Sequence, residues 1–394
     1  MRPSADWRRV ALREVAEINP ESLPRSTAQD FIFRYIDIAT VSGPSEMGEA
    51  RRMRLSDAPS RARRIVRDGD ILVSTVRPYL RSFCRVRSAS NDLIASTGFT
   101  VIRPRSGIDS EFLNQHVLSK WFVNHLIPRM KGSNYPAVSA DDIGDYRLLL
   151  PPTTEQRRIA SILSSVDETI QATQVVIEQT RIVKQGVLRR LLSKGIGHNR
   201  FKQTEIGMIP ETWRVVRVPD LLAKFSKAAV IKLKTHDYQL SGPFPIVDQG
   251  ASLICGYTDQ RSALCPIPSP IIVFGDHTRV FKYVDFPFVV GADGTQLLKP
   301  IENVDAKYLY YALSALELPS EGYSRHFRYL KEKNIALPSM REQEQIACCI
   351  TSFDSNITVL KSQVEAQRAL KAALMSDLLS GRVRVGSDLP LAAE

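Results

Sequence analysis

Basic and aromatic side chains interleave in the segment Arg77–Arg85, directly after the strand candidate at 70–73. Arginine can donate two hydrogen bonds to guanine or bind a phosphate, and tyrosine adds apolar and hydroxyl contacts. We therefore predict that this segment contacts nucleic acid, although some of its residues must face inward beside the strand. The predicted contacts are Arg77, Tyr79, Arg81 and Arg85.

A second candidate loop, Lys131–Pro136, includes Asn134, whose amide can pair with adenine. Its counterpart later in the chain is Gly322–Arg328, which likewise combines glycine, a small hydroxyl residue, an aromatic residue and polar groups. A plain surface loop is the alternative in both places. The predicted contacts are Lys131, Ser133, Asn134, Tyr135, Tyr323, Ser324, Arg325, His326 and Arg328.

Two further basic segments are candidates. His277, Thr278 and Arg279 follow the strand candidate at 271–274, in a place comparable to Arg77, and can reach bases or phosphates. The neighbouring Asp276 can instead simply fix Arg279. Between Arg51 and Arg67, seven arginines stand against one aspartate. That cluster either follows phosphates or forms a solvated basic loop.

Motifs for catalysis are largely missing. The sequence has no G-x-x-x-x-G-K-[ST] loop, no glycine-rich strand-to-helix turn, and no Asn/Asp-Pro-Pro-aromatic tetrapeptide, since Thr153 follows Pro151-Pro152. Asp285 or Asp293 with Asp305 and Lys307 imitates a nuclease site only superficially. The six histidines and five cysteines lack metal-ligand spacing, so we predict neither a metal nor a catalytic site.

Composition favours a polyanionic partner. The formal charge is +11 and the pI is near 9.5, a property shared by ribosomal, membrane-surface and heparin-binding proteins. Residues 1–149 hold 23 Lys/Arg against 17 Asp/Glu, whereas residues 204–336 hold 15 against 14. With no apolar run long enough for a membrane, no secretory signal and no C-x-x-C spacing among the cysteines, we expect a reduced, cytoplasmic protein.

One segment of the chain is duplicated. Residues 150–193 match residues 337–380 at a constant offset of 187, with 15 of 44 positions identical and no gap. Each copy predicts a short helix followed by a long one, because proline precedes it and does not interrupt it. Apolar or small residues then recur at alternating steps of four and three, as in a coiled coil, which favours an intramolecular helix pair. The first seam runs Ile159, Leu163, Val166, Ile170, Thr173, Ile177 and the second Ile346, Ile350, Phe353, Ile357, Leu360, Val364.

The stretches before the two helical regions share landmarks as well. Both begin with a tryptophan, Trp7 and Trp213, and Gly98–Pro104 resembles Gly294–Pro300 at an offset of 196. We predict two related α/β (α+β) domains, domain 1 at 1–149 and domain 2 at 204–336. The helical regions are predicted at 150–203 and 337–394.

The order of variable domain, Leu-Pro-x-x-x-Glu-Gln-x-x-Ile-Ala helix, variable domain and the same helix resembles the specificity subunit of type I restriction-modification enzymes. The resemblance covers nearly the whole chain and is most specific at 150–167 and 337–354. It implies two target-recognition domains separated by an antiparallel pair of long helices, a pseudo-twofold tandem repeat in which each domain recognises half of a split DNA site. It assigns the helical-pair and partner-binding role to Glu155, Gln156, Ile159, Leu163, Ile170, Glu342, Gln343, Ile346, Ile350 and Ile357.

The resemblance also implies partners. These are two adenine methyltransferase (modification) subunits using S-adenosylmethionine and restriction translocase-nuclease subunits using ATP and Mg, with no cofactor on this chain. Independently, a helix from about Glu168 to Leu192 is on the order of 40 Å long, about one turn of B-DNA or slightly more. The alternatives are a stand-alone DNA-binding scaffold without a methyltransferase, and an enzyme in its own right.

Overall fold

The structure is a computed structural model that describes residues 6–87, 90, 92–226, 229–319 and 325–386. The chain forms two compact units. Unit 1 combines Met1–Gln174 with Ser362–Glu394, and unit 2 is Val175–Lys361. These units divide the chain at other places than the linear boundaries predicted from the sequence, because each contains one globular domain and parts of both helical regions. No helix among the described residues is long and apolar enough to cross a membrane.

Domain 1 is a mixed α/β domain built largely of short strands. Its strands are β1 (Arg8–Ala11), β2 (Ala16–Ile18), β3 (Ile32–Ile36), β4 (Val41–Gly43), β5 (Glu46–Met47), β6 (Arg51–Arg54), β7 (Ala62–Val66), β8 (Ile71–Ser74), β9 (Phe83–Arg85), β10 (Leu93–Ser96), β11 (Phe99–Pro104) and β12 (Arg147–Leu150). Its helices are α1 (Leu12–Val15), α2 (Ser110–Val117), α3 (Lys120–Leu126) and α4 (Ala140–Gly144). The long helix α5 (Thr153–Lys194) follows.

Two four-stranded sheets, in the orders β6-β3-β10-β7 and β2-β11-β8-β9, form the body of domain 1. Side chains alternate between the faces of a strand, and β8 shows this clearly. Ile71 and Val73 pack with the helix residues Phe112 and Phe122, whereas Leu72 packs in the separate cluster that lies under the other sheet. All four residues of β8 are buried, so its end is a fixed point from which the next loop emerges.

Domain 2 repeats this construction with a different set of elements. Its strands are β13 (Phe201–Thr204), β14 (Gly207–Pro210), β15 (Arg214–Arg217), β16 (Lys232–Leu233), β17 (Phe244–Val247), β18 (Gly256–Thr258), β19 (Ile271–Gly275), β20 (Phe281–Val284), β21 (Val289–Gly291), β22 (Thr295–Leu298) and β23 (Asn334–Leu337). Its helices are α6 (Ala306–Ser314) and α7 (Phe327–Lys331), and the long helix α8 (Met340–Leu378) follows. Short 3-10 turns in the two domains lie at Ile38–Thr40, Leu55–Asp57, Pro78–Leu80, Ile127–Arg129, Val218–Leu221, Thr235–Asp237 and Arg261–Ala263.

The sheets of domain 2 match those of domain 1 strand for strand, with two departures. The order β18-β17-β21-β16 parallels β6-β3-β10-β7, but β16 runs parallel to β21 whereas β7 runs antiparallel to β10. The order β20-β19-β22 parallels β9-β8-β11, and a bridge between Leu222 and Pro300 stands where β2 pairs with β11. The predicted strands at 70–73 and 271–274 correspond to β8 and β19, and the fold class is confirmed.

Each helical region is one continuous helix, so the predicted division into a short and a long helix is wrong. Thr153–Lys194 and Met340–Leu378 run without interruption, since no proline or other backbone constraint breaks them. What changes along each helix is the environment of its side chains, not the backbone. The first turns pack against the globular domain, where Ile159 and Leu163 are fully buried, while residues beyond them are increasingly exposed.

Candidate nucleic-acid interface

The two loops predicted in each domain meet at the residue that follows the central strand. In domain 1 that residue is Thr75, whose carbonyl oxygen accepts the Val138 N–H at 3.0 Å and whose hydroxyl donates to the Gly98 carbonyl at 2.9 Å. In domain 2 it is Asp276, whose carbonyl oxygen accepts the His326 N–H at 2.9 Å. The structure therefore brings each post-strand loop beside the loop that precedes α4 or α7.

Arg77 connects the loops of domain 1. Its N–H donates to the Pro136 carbonyl at 2.7 Å, its Nη2 donates to the Asn134 carbonyl at 3.0 Å, and its guanidinium lies 4.8 Å from the centre of the Tyr135 ring. Reciprocal main-chain hydrogen bonds of 2.8 and 2.9 Å between Lys131 and Ala137 close the second loop. Its tip is exposed, with Tyr135 71% accessible.

Arg81 and Arg85, two of the predicted contacts, lie in a different environment from Arg77. The Arg81 guanidinium donates to the Leu118 carbonyl at the end of α2, and burial lowers the pKa of that guanidinium. Arg85 donates through Nε to the Ser110 hydroxyl and has Nη1 3.9 Å from the Glu111 carboxylate. Both side chains hold the loop to its own domain because their donors are directed inward.

Strand register gives Arg279 a partner in domain 1 that differs from the one expected. Val73 of β8 pairs with Phe83, and Phe274 of β19 pairs with Phe281, so Phe83 and Phe281 are equivalent. The residue two positions before each phenylalanine is Arg81 in domain 1 and Arg279 in domain 2. Both adopt the left-handed conformation, with φ of 58° and 61°. Arg279 lies 3.3 and 3.4 Å from the Leu318 and Pro319 carbonyls, as Arg81 lies against a carbonyl after α2. Arg279 therefore corresponds to Arg81 rather than to Arg77.

Asp276 organises the loops of domain 2 rather than fixing Arg279. Its Oδ1 accepts the Phe327 N–H at 2.8 Å at the start of α7, and its carbonyl oxygen lies 2.9 Å from Nδ1 of His326. Because His326 is 1% exposed, its ring supports the loop junction and is not placed to touch a ligand.

The remaining predicted residues of domain 2 lie nearer the surface. Thr278, Arg325 and Arg328 are exposed, and the Arg328 guanidinium lies 4.5 Å from the centre of the Tyr329 ring. His277 is half-buried, with its N–H 3.3 Å from Oε1 of Gln249. Tyr323 and Ser324 lie outside the described residues.

The superficial nuclease-like set has structural roles. Asp305 is the N-cap of α6, where its Oδ1 accepts the Tyr308 N–H at 2.7 Å. The Lys307 ammonium lies 5.1 Å from the centre of the Tyr283 ring. In the ranges that the structure describes, no group of three or more His, Cys, Asp or Glu side chains is arranged to hold a metal ion.

The glutamate of the repeated Glu-Gln motif forms a three-way junction in each unit. Glu155 accepts the Trp7 indole N–H at 3.0 Å and two hydrogen bonds of 2.7 Å from Arg384. Glu342 accepts the Trp213 indole N–H at 2.9 Å and the Ile196 N–H at 2.9 Å. Burial raises the pKa of the Glu155 carboxyl, but the hydrogen bonds from Arg384 and Trp7 outweigh it and hold that pKa below its ordinary value.

The adjacent glutamine attaches the domain to the helix. Gln156 accepts the Asp109 N–H at 2.9 Å and donates to the Pro151 carbonyl at 2.9 Å. Gln343 repeats this with the Asp305 N–H at 2.9 Å and the Pro338 carbonyl at 3.0 Å. Since all four motif side chains are buried and bonded within their own unit, they hold the domains in place and are not presented to a partner.

Within each unit the helices run antiparallel. In unit 1, Lys371 bonds to Asp167 at 2.7 Å while Arg384, further along, bonds to the earlier Glu155. In unit 2, Lys184 bonds to Asp354 while Ile196, further along, bonds to the earlier Glu342. The predicted seam residues are buried at Ile159, Leu163, Ile346, Ile350 and Ile357 and half-buried at Ile170.

Each aspartate of these ion pairs also contacts its globular domain. Gln115 donates to Asp167 at 3.0 Å, and the Tyr311 hydroxyl donates to Asp354 at 2.7 Å. The repeat at 150–193 and 337–380 contains both aspartates, Asp167 and Asp354, but the lysines that pair with them were not singled out from the sequence. The signal was present, because Lys184 and Lys371 are themselves identical at the offset of 187.

Comparison with known proteins agrees with this arrangement. Residues 4–180 and 210–367 match the family described as "Type I restriction modification DNA specificity domain". The putative type I restriction enzyme MjaX specificity subunit of Methanocaldococcus jannaschii is 24% identical over 416 residues, covering 96% of this chain and 94% of that protein. The MjaVIII specificity subunit of the same organism is 26% identical over 284 residues, covering 65% of this chain and 66% of that protein.

Solved structures show the same fold. A chain from a structure of complex assembly and conformational transition of the type I R-M system has a TM-score of 0.60 at 22% identity, covering 97% of this chain and 100% of that one. The type I restriction-modification S subunit from M. genitalium has a TM-score of 0.58 at 14% identity, covering 96% and 99%. This chain therefore belongs to the type I restriction-modification DNA specificity family and is a subunit that recognises DNA sequence rather than a catalyst.

Proposed function

We propose that each domain recognises one half of a split double-stranded DNA site, and that the chain positions an adenine methyltransferase on each half. The repeated loop pair carries this proposal. In both domains the loop after the central strand is joined to the loop before a short helix, at Thr75 and at Asp276. The frame is shared while the exposed side chains differ, as two different half-sites require.

Domain 1 offers side chains suited to base edges and phosphates. Arg77 contacts Asn134 through the main-chain oxygen of Asn134, so the exposed amide side chain is left to pair with adenine. Tyr135 adds exposed aromatic surface beside the Arg77 guanidinium, and Tyr79 is exposed two residues after Arg77. Lys131 and Ser133 lie at the exposed base and tip of the second loop. This set supports contact in the major groove, where base pairs are distinguishable.

Domain 2 offers a smaller set of exposed side chains around its junction. The Thr278 hydroxyl donates to the Gln249 carbonyl at 2.5 Å, which fixes the loop that carries His277. Arg325 and Arg328 lie on either side of the buried His326 and are exposed. Two arginines projecting from one junction suit a phosphate or a guanine edge.

Partners complete the proposed activity. We assign two methyltransferase subunits, which supply S-adenosylmethionine chemistry, and restriction translocase-nuclease subunits that use ATP and Mg, in the cytoplasm. The exposed apolar residues Val175, Val176, Ile182 and Val183 of α5 support a partner surface in unit 2. They recur seven residues apart and therefore lie on one helix face.

Half-site recognition is tested with the reconstituted complex on duplexes carrying the site mapped from modified adenines. Asn134→Ala is expected to weaken binding roughly tenfold and to relax discrimination in one half-site, since a lost bidentate pair costs about 1–3 kcal/mol. Asn124→Ala, an exposed asparagine of α3 in the same domain, is the matched control and should change neither. Binding that persists unchanged when both half-sites are scrambled contradicts the proposal.

Partner assembly is tested by co-purification. Ile182→Glu with Val183→Glu is expected to release the methyltransferase, whereas Leu240→Glu, a fully exposed leucine in domain 2, should retain it. Recovery of the wild-type chain without any methyltransferase would support a stand-alone DNA-binding scaffold instead.

A further inference from the structure

The hairpin at 248–255, between β17 and β18, belongs to the loop cluster of domain 2 although no sequence motif indicated it. Gln249 provides the connection. Its Nε2 donates to the Asp293 carbonyl at 2.9 Å, its Oε1 lies 3.3 Å from the His277 N–H, and its carbonyl oxygen accepts the Thr278 hydroxyl. One residue therefore joins the hairpin to the post-strand loop and to the turn that precedes β22.

Two glycines make room for Gln249. A Cβ at Gly275 would lie 2.8 Å from the Gln249 carbonyl oxygen, and a Cβ at Gly294 would lie 2.7 Å from its Oε1. Gly294 also has a φ of 86°, a conformation that side-chain-bearing residues rarely adopt. Gln249 thus occupies space that any other residue at 275 or 294 would fill, and the hairpin is held firmly against the loop of His277.

The returning arm of this hairpin, just before Cys255, carries exposed apolar side chains. Leu253 is 45% and Ile254 is 37% exposed. The corresponding hairpin of domain 1, between β3 and β6, has no large apolar side chain of comparable exposure among its described residues. Exposed leucine and isoleucine beside a polar loop cluster are poorly suited to water but well suited to the methyl group of thymine in the major groove.

We propose that the 248–255 hairpin is a third recognition element of domain 2, in which Leu253 and Ile254 contact thymine methyl groups and Gln249 acts as the positioning residue. The proposal rests on the proposed recognition of a half-site by domain 2. Because the methyltransferase is assigned to adenine, each half-site contains at least one A·T pair and hence a thymine. Transfer of one methyl group from water to an apolar contact corresponds to roughly a fourfold change in affinity.

The experiment removes the methyl group from either side of the contact. Thymines of both half-sites are replaced one at a time by uracil, and affinity of the reconstituted complex is measured for each duplex. Wild type should lose roughly fourfold at one or more thymines of a single half-site. The double variant Leu253→Ser, Ile254→Ser should bind the thymine and uracil duplexes equally well. Both side chains are exposed, so thermal unfolding should be unchanged.

Ile301→Ser is the matched control. Ile301 is 38% exposed in the same domain. It follows the end of β22, which pairs with the start of β19, whereas the loop cluster lies at the other end of β19. This variant should keep the wild-type sensitivity to uracil. Gln249→Glu retains the acceptor but loses the donor to Asp293, so it should reduce uracil sensitivity while leaving the other half-site unaffected.

Two outcomes overturn the proposal. Uracil sensitivity that is identical in wild type and in the Leu253/Ile254 double variant means that other groups contact the methyl groups. Absence of uracil sensitivity in a complex that still discriminates scrambled half-sites means that no methyl contact exists. Loss of all half-site discrimination in wild type is a separate result, because it refutes the recognition of half-sites by the domains themselves.

Discussion

The two globular domains share a strand order and a loop frame, yet they present different surfaces. In domain 1 the outer strand of one sheet is β6, where Arg51, Arg52 and Arg54 are all exposed, whereas its counterpart β18 is Gly256–Thr258. The hairpin that leads to this strand spans 37–50 in domain 1 and 248–255 in domain 2.

Residues that match between the domains are those that hold loops. Arg81 and Arg279 occupy the same register position and both bind carbonyl groups. Thr75 and Asp276 also share a position but differ in residue type. They can differ because the hydrogen bond that joins the two loops is accepted by the main-chain oxygen of each residue. Recognition side chains are therefore free to diverge where the supporting hydrogen bonds come from the backbone or from a few arginines.

The junction glutamates give the largest expected effect. Glu155→Ala leaves the Trp7 indole and the Arg384 guanidinium without their acceptor, and should lower the free energy of unfolding of unit 1 by about 3 kcal/mol. Glu168→Ala, an exposed glutamate on the same helix, should change it by less than about 0.5 kcal/mol. Hydrogen exchange of peptides from each unit measures both, and equal loss of protection in unit 2 would contradict a local role.

Much of this architecture could be predicted from the sequence, because the duplication is visible in residues that bury apolar surface. The identical Ile159-Ala160 and Ile346-Ala347 pairs mark helix turns packed on the domains. The role of Glu155 could not be predicted in the same way. Its partners Trp7 and Arg384 lie 148 and 229 positions away, so only the folded chain brings them together.

The site was predictable as segments rather than as side chains. Sequence pattern located the loops of Arg77, Asn134 and Thr278, since they follow strands or precede a short helix. It could not separate Arg77, near the surface, from Arg81, directed inward, because both are arginines in one basic run. Both adopt the left-handed backbone conformation, with φ of 50° and 58°, so their directions differ through their acceptors, the Asn134 carbonyl and the Leu118 carbonyl, which only the folded chain brings within reach.

The basic edge of domain 1 gives the next largest effect. If Arg51, Arg52 and Arg54 follow phosphates, their joint change to Gln should weaken DNA binding about tenfold at moderate salt. The slope of log affinity against log salt should fall by roughly 2–3. Affinity across a salt series measures this, and Arg105→Gln, an exposed arginine outside β6, is the control. An unchanged slope would show that these arginines are solvated and that other residues bind the DNA phosphates.

The repeated ion pairs sharpen the comparison at a smaller scale. Double-mutant cycles on Asp167–Lys371 and on Asp354–Lys184 should each give a coupling energy of about 1 kcal/mol by urea unfolding. The pair in unit 1 should be slightly stronger, because both its side chains are less exposed than their counterparts. A measurable coupling energy in one unit and none in the other would show that only one of the two duplicated ion pairs still stabilises its unit.

Acid should distinguish the domains by the smallest amount. The hydrogen bond from Arg67, opposed by burial and assisted by Arg103, lowers the pKa of Glu21 to about 2. At the position of Arg103, domain 2 has Lys299, which donates to carbonyl groups instead. A carboxyl whose folded pKa is depressed stabilises the fold above its unfolded value, and that contribution disappears as pH falls from about 4.5 towards 2. Protection of β8 and β11 amides, corrected for intrinsic exchange, should therefore fall across this range.

The variant Glu21→Gln isolates this contribution. It should lower the protection of β8 and β11 at pH 6 but remove part of its dependence on pH between about 4.5 and 2, because glutamine does not ionise. The β19 and β22 amides of domain 2 should be the same in wild type and variant at every pH. A pH profile of domain 1 that Glu21→Gln leaves unchanged would place the acid sensitivity in other carboxylates, with Glu155 the next to test, since its pKa is also held low by an arginine.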